Sequence, residues 1–231
     1  MTKTVAIMQP YIFPYLGYIQ LLNAVDEFVV YDDVQYIVRG WINRNNILVN
    51  NEKKLITISL NNSSANKRIN EIEIKDDFIT LRKTLQYSYA KAPFKSQVLE
   101  LIDKIFSFED KNLTAFIYYS LSLIADYIGI DTKLVLSSAI PKNDSLRGQQ
   151  KIMAICKKLG ATNYINPIGG KEIYDRDYFE QNNIDLKFIE TKFTEYKQFE
   201  KAFVPGLSII DIMMFNSPEQ IKQLLKDYTL V

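Results

Sequence analysis

The chain has 231 residues, 47% of them hydrophobic, with 28 Lys and Arg against 27 Asp and Glu, one Cys and no His. The even charge balance leaves no broad basic surface for nucleic acid and no polyacidic tail, while the apolar share suffices for a sizeable core. Without histidine there is no Ser–His or Cys–His catalysis and no His metal ligand, and the lone Cys156 excludes an intramolecular disulfide and argues against any zinc site.

Thr4–Met8 is a short apolar run and predicts the first strand. Gln9–Pro14 carries Pro10 and Pro14 and must turn. Leu16, Ile19 and Leu22 recur at helical spacing within a helix expected over Tyr15–Asn23, and Glu27–Tyr31 predicts a second strand. That order is a βαβ unit, which implies a parallel sheet with a right-handed crossover. Asp32–Asn46 reads as a loop, and Ile47–Val49 and Lys54–Leu60 flank a hairpin turn at Asn50–Asn51. The alternation in Ile69–Ile74 predicts an edge strand. Helices are expected over Phe78–Lys91 and Phe94–Phe106, broken at Pro93, and over Asn112–Ile128, stopped by Gly129. Thr132–Leu136 is a strand, Leu146–Leu159 a helix ended by Gly160, Asn163–Ile165 a short strand, Tyr174–Asn182 a helix and Ile184–Ile189 a strand. Ser208–Phe215 and Pro218–Tyr228 close the chain as helices.

The expected fold is therefore α/β: one domain over residues 1–231, a parallel sheet with a β-hairpin and a helical insertion near 76–130. Met1–Gln9 turns polar too soon for a signal peptide, and no apolar run approaches the ~20 residues of a bilayer span. With a single Cys, a cytoplasmic location is expected.

Ligands of such sheets bind beyond the carboxyl ends of the strands. The first segment to arrive there is Gln9–Tyr18, with Gln9, Tyr11 and Tyr15 as binding candidates and Gly17 allowing close approach near a helix N-terminus suited to an anion. The second is Asp32-Asp33-Val34-Gln35-Tyr36, where adjacent carboxylates point to opposite sides, so one faces the cleft. Arg39, Trp41, Asn43 and Arg44 follow: Arg forks pair phosphate or carboxylate, and Trp stacks on a sugar or base. The third is Ser137–Ser138, with Lys142 and Arg147 placed to meet a phosphate. Ser208 and Asp211 read as the cap and first turn of a helix, and Cys156, with Ile152 and Leu159 on its helical face, reads as core.

Four ordered blocks, MQPYIFPYLGYIQLLNAVDEFVVYDDVQY, GWINRNNI, LGATNYINP and FVPGLSIIDIMMFN, resemble the WbqC-like family along nearly the whole chain. The resemblance implies bacterial O-antigen (lipopolysaccharide) or capsule biosynthesis. It further implies acyl or aminoacyl transfer, glycyl included, to a nucleotide-linked amino sugar. The donor would be an activated small molecule, a carrier protein or an aminoacyl-tRNA. On this reading Asp32 or Asp33 orients the sugar amine or accepts its proton, while Tyr15, Tyr18, Arg39 and Arg44 hold the diphosphate and Trp41 stacks nearby.

A looser similarity joins Phe13–Tyr18 to the His-x-Gly-His signature of nucleotidylyltransferases and class I aminoacyl-tRNA synthetases, and implies a Rossmann-like, nucleotidylyltransferase-like sheet. Gly17 matches the signature glycine, and Tyr15 and Tyr18 replace both histidines. Tyr18 would then be a catalytic hydrogen-bond donor without the positive charge. The alternative that follows is an ATP- and Mg2+-dependent nucleotidylyl or adenylate-forming enzyme with Lys142 or Arg147 supplying the charge. A non-catalytic subunit of polysaccharide assembly is the third expectation.

Overall fold

A computed structural model describes residues 2–199 and 202–231. In chain order the elements are β1 (Thr4–Met8), α1 (Leu16–Asn23), β2 (Glu27–Val30), β3 (Arg44–Val49), β4 (Glu52–Thr57), β5 (Leu60–Asn61), β6 (Glu73–Ile74), α2 (Ile79–Ser88), α3 (Lys95–Phe106) and α4 (Leu113–Ile128). They are followed by β7 (Lys133–Leu136), α5 (Gly148–Leu159), β8 (Asn163–Pro167), α6 (Arg176–Glu180), β9 (Asp185–Thr191), α7 (Ile209–Phe215), α8 (Pro218–Leu224) and β10 (Tyr228–Leu230).

The main sheet has the order β10-β9-β8-β1-β2-β7, parallel throughout except for β10. From β1 the chain adds β2 and β7 on one side, then returns to place β8 and β9 on the other, so the order reverses between β1 and β8. Side chains alternate between two apolar layers, as the pleat requires. Val5, Ile7 and Val29 pack with Ile152, Ile155 and Cys156 of α5 and Phe179 of α6. Ala6, Phe28 and Val30 face the opposite layer, built from α1, α4, α7 and α8. Cys156, in the first of these layers, is fully buried, and burial pushes its thiol up to about 12, which leaves it inert at neutral pH.

Helix ends follow local chemistry. Asn112 caps α4 by accepting from Ala115 N, and Gly129 ends it in the left-handed region. Asn50 and Asn51 both have positive φ, as a two-residue hairpin turn demands. Phe78, Phe106 and Phe116 stack at 4.5 and 5.0 Å, and Phe13 meets Phe106 edge-on, tying α2–α4 to the loop after β1.

Three expectations need correction. The loop predicted over Asp32–Asn46 ends early, because Arg44 and Asn45 already pair with Thr57 and Ile56. Ile69–Ile74 is not a continuous edge strand: Ile69–Glu71 forms a 3-10 turn, and β6 keeps two residues. The cause is tertiary, since Ile69 N and Asn70 N donate to Val34 O and Asp32 O of the loop after β2. The last helix stops at Leu224 rather than Tyr228, because β9 presents a free edge on which Tyr228–Leu230 pair antiparallel with Ile189–Thr191.

Candidate functional site

A cavity of about 470 Å3 opens at the carboxyl ends of β1 and β2. It is lined by Gln9 from the loop after β1, by Tyr31, Asp33, Val34, Gln35 and Ile37 after β2, by Asn66 and Arg68, and by Arg147, Gly148 and Lys151 at the start of α5. Ligands of such sheets bind beyond the carboxyl ends of the strands, and the volume is in the range of small-molecule sites.

Asp33 organises one wall. Its Oδ2 pairs with Lys142 Nζ at 2.7 Å, and its Oδ1 pairs with Lys151 Nζ at 3.1 Å and accepts from Ser137 Oγ at 2.7 Å. The side chains of Asp33, Lys142 and Lys151 are 4%, 3% and 5% exposed. Burial alone would raise the Asp33 carboxyl; the hydrogen bonds from Lys142, Ser137 and Lys151 outweigh it and hold the group below the usual carboxylate range. Lys151 Nζ also donates to Asp33 O at 2.8 Å and lies 5.2 Å from the centre of the Tyr31 ring. Lys142 Nζ donates to the carbonyls of Ser137 and Ile140. One carboxylate thus faces two ammonium groups, and Arg68 and Arg147 add two guanidinium groups to the lining. The surplus is positive, and α5 points its N-terminus into the same wall. Such a wall favours an anion.

The sequence candidates divide. Gln9, Asp33, Gln35 and Arg147 meet at the cavity. Asp32 is fully buried instead: its Oδ1 accepts from Ser138 N at 2.9 Å and its Oδ2 from Asn70 Nδ2 at 3.2 Å. Ser138 therefore serves through its backbone. Tyr18 is buried, with its hydroxyl donating to Gln9 O at 3.1 Å and its ring 5.2 Å from Phe28 and 5.6 Å from Tyr11. Burial foremost, then Tyr11, pushes the Tyr18 phenol well above its ordinary value, so it stays a neutral donor. Tyr15 caps α1 and bridges Ser208. Asn43 accepts from Tyr36 and donates to Ile58 O, while Arg39 and Trp41, on the tip of residues 37–41, and Arg44, at the start of β3, lie outside the cavity lining. Reasoning from sequence did not single out Tyr31, Asn66, Arg68 or Lys151. For Lys151 a signal existed: it falls four residues before Ile155 on the buried stripe of α5.

Gly17 is required for packing. A Cβ there would lie 2.3 Å from Thr191 Oγ1 of β9 and 2.6 Å from the Tyr15 ring. Gly17→Ala is expected to cost about 1–2 kcal/mol, overpacking outweighing the better helix propensity. Chemical denaturation checks this, and Thr191→Ala in the same chain should recover part of the loss.

Asn45, Asn46, Ser208 and Ile209 buttress the loop after β1. Asn45 Nδ2 donates to Phe13 O at 2.8 Å and Ser208 Oγ to the same carbonyl at 2.8 Å. Ile209 N donates to Pro14 O, and Ser208 N to Asn46 O. A larger hollow, about 660 Å3, lies beside Asn51, Lys91, Pro93 and Lys197–Phe199, away from the strand ends. Among the described residues no group of three or more His, Cys, Asp or Glu side chains is placed to hold a metal ion, and no helix is long and apolar enough to cross a membrane.

Fold and cavity together define an α/β protein with a cleft lined by lysine and arginine at its strand ends. The family follows from the sequence: the WbqC-like protein family matches residues 9–223, and the chain belongs to it. It is 28% identical over 216 residues to the uncharacterized protein Rv1507c of Mycobacterium tuberculosis, covering 91% of this chain and 93% of that one. No solved structure matches it significantly.

Proposed function

We propose that the protein is a cytoplasmic biosynthetic transferase that binds a nucleotide-linked amino sugar in the strand-end cavity and moves an acyl or aminoacyl group, such as glycyl, onto its amine. The observation carrying this reading is the cationic wall: Lys151, Arg68 and Arg147 in the cavity lining, with Lys142 behind it, paired to the lining residue Asp33. A diphosphate matches that charge, and Gln9, Gln35, Asn66 and Tyr31 offer hydrogen bonds for sugar hydroxyls. In the transfer the sugar nitrogen attacks the donor carbonyl, an amide C–N bond forms, the bond to the leaving group breaks, and the amine proton departs with that group. Asp33, already engaged by three donors and held acidic, acts as a positioning residue for the two lysines rather than as a base. Tyr18 positions Gln9 through its carbonyl. The helical stretch near 76–130 is read as an insertion within one folded unit, since it shares a core with the loop after β1.

An ATP-dependent nucleotidylyl or adenylate-forming enzyme, possible on a Rossmann-like sheet, would need room for adenine beside Gly17. Thr191 and Tyr15 occupy that side, which favours the first reading.

Incubation of the protein with UDP- or dTDP-linked amino sugars and glycyl or acyl donors (thioester, carrier protein, aminoacyl-tRNA) is expected to raise the sugar's mass by one acyl group. Bound nucleotide sugar with unchanged mass across the donor panel would overturn transfer. Lys151→Ala should weaken nucleotide-sugar binding about tenfold or more, read by calorimetry.

A further inference from the structure

The tip formed by residues 37–41 exposes Ile37 by 52%, Val38 by 53% and Trp41 by 46%, whereas the flanking Tyr36 and Ile42 are buried. The tip is rigidly held. Tyr36 OH donates to Asn43 Oδ1, Asn43 Nδ2 to Ile58 O, Tyr36 N to Lys67 O and Ile12 N to Ile42 O, which closes its base. Gly40 N donates to Ile37 O at 3.0 Å, and Arg39 takes a φ of 62°. Arg44 locks the far side, donating from Nε to Gly40 O at 2.7 Å with its guanidinium 5.8 Å from the Trp41 ring centre. Order of this kind means that the apolar side chains are presented, not left loose.

The charges around the tip share one sign. From Val34 to Asn51 the chain carries Arg39 and Arg44 and no acidic residue, within a protein whose net charge is +1. The neighbouring loop adds Lys67; the nearest acid along it, Glu71, is engaged with Arg68 N. A Trp with aliphatic neighbours, flanked by Arg39, Arg44 and Lys67, suits a bilayer interface: the indole settles at headgroup level, the aliphatics enter the acyl boundary, and the cations meet lipid phosphates. A soluble sugar nucleotide would use neither the aliphatic side chains nor their outward direction.

We propose that this tip docks the protein peripherally on an anionic phospholipid surface, with Ile37, Val38 and Trp41 entering the interface and Arg39, Arg44 and Lys67 pairing with lipid phosphates. Ile37 also borders the strand-end cavity, so docking brings the cavity mouth to the headgroup layer. The docking itself requires no ligand in the cavity, and it stands or falls apart from the transferase reading.

Trp41 is the only Trp in the chain, so its fluorescence reports on this tip alone. Vesicles of phosphatidylcholine mixed with phosphatidylglycerol should shift its emission to the blue, make it quenchable by brominated lipid and sediment the protein; phosphatidylcholine alone should do so far less. Arg39→Asn should weaken binding about fivefold and Val38→Asp about tenfold or more, with circular dichroism and thermal midpoint unchanged. No shift and no co-sedimentation with anionic vesicles would overturn the proposal. Equal binding to neutral vesicles would overturn its anionic character. A concentration-dependent blue shift without lipid, with a doubled mass in sedimentation, would assign the tip to a second copy of the chain instead.

Discussion

Replacing Asp33 by Asn should cost about 3 kcal/mol of folding stability. The carboxylate is the counter-charge for two lysines whose side chains are almost fully buried, so its removal leaves two ammonium groups facing each other across a neutral amide. The lower end of the range for a broken buried pair applies, because the cavity gives water a route to the cluster. Urea denaturation of both proteins measures the loss. The pH dependence supplies a second signature. The Asp33 pKa is lowered on folding, so its contribution is fully present above the unfolded value, about 3.9, and is lost as pH falls through the lowered folded value. The wild-type protein should lose this contribution on acidification and the Asn variant should not. An Asn variant as stable as wild type at neutral pH would show that the lysines are not held by this carboxylate.

Asp211→Ala should be at least as damaging, at about 3–5 kcal/mol. Asp211 is fully buried, and its oxygens accept from Tyr89 OH at 2.8 Å, Tyr196 OH at 2.7 Å and Gln198 Nε2 at 2.8 Å. Tyr89 OH in turn accepts from Leu48 N at 3.0 Å. One carboxylate thus joins α7, the end of α2, β3 and the irregular segment after β9, and Ala would take the acceptor from both tyrosine hydroxyls at once, while Gln198 Nε2 keeps its bond to Val204 O. Amide exchange in 192–199 should rise, because Tyr196 and Gln198 lose their anchor. Burial raises the Asp211 carboxyl, with the hydrogen bonds from Tyr196, Tyr89 and Gln198 acting against it. A raised carboxyl contributes most stability below its unfolded pKa and loses it as pH rises through the folded one. Asp211→Asn, which cannot ionise, should therefore show a flatter stability profile above about pH 4, together with a smaller loss than Ala. Unchanged exchange in 192–199 in the Ala variant would show that the segment is held by other contacts.

Much of this was readable from residues because local chemistry decides it. The short apolar run Thr4–Met8, the proline loop and the i, i+3, i+6 spacing of Leu16, Ile19 and Leu22 placed β1, α1 and the parallel pairing with β2. Asn50-Asn51, Gly129 and Gly160 marked a turn and two helix ends through their tolerance of positive φ. The opposite directions of adjacent side chains implied different surroundings for Asp32 and Asp33, and Asp33 borders the cavity while Asp32 is buried against Asn70 and Ser138. The family blocks likewise announced membership before any coordinates.

Long-range partners decided the rest. Whether Asp32 is a chemical group or a strut depends on Asn70 and Ser138, which are 38 and 106 residues away. The space beside Gly17 was filled by Thr191 from β9, and the partner of Asp211 was set by Tyr89, 122 residues earlier. Arg68 and Lys151 come from segments with no shared sequence pattern, and only the crossover of α5 and the backbone bridge of Gln35 to Arg68 bring them to one wall. Propensity and periodicity act over a turn or a strand; charge pairing and steric exclusion act wherever the chain returns in space, and that return is fixed by the packed sheet.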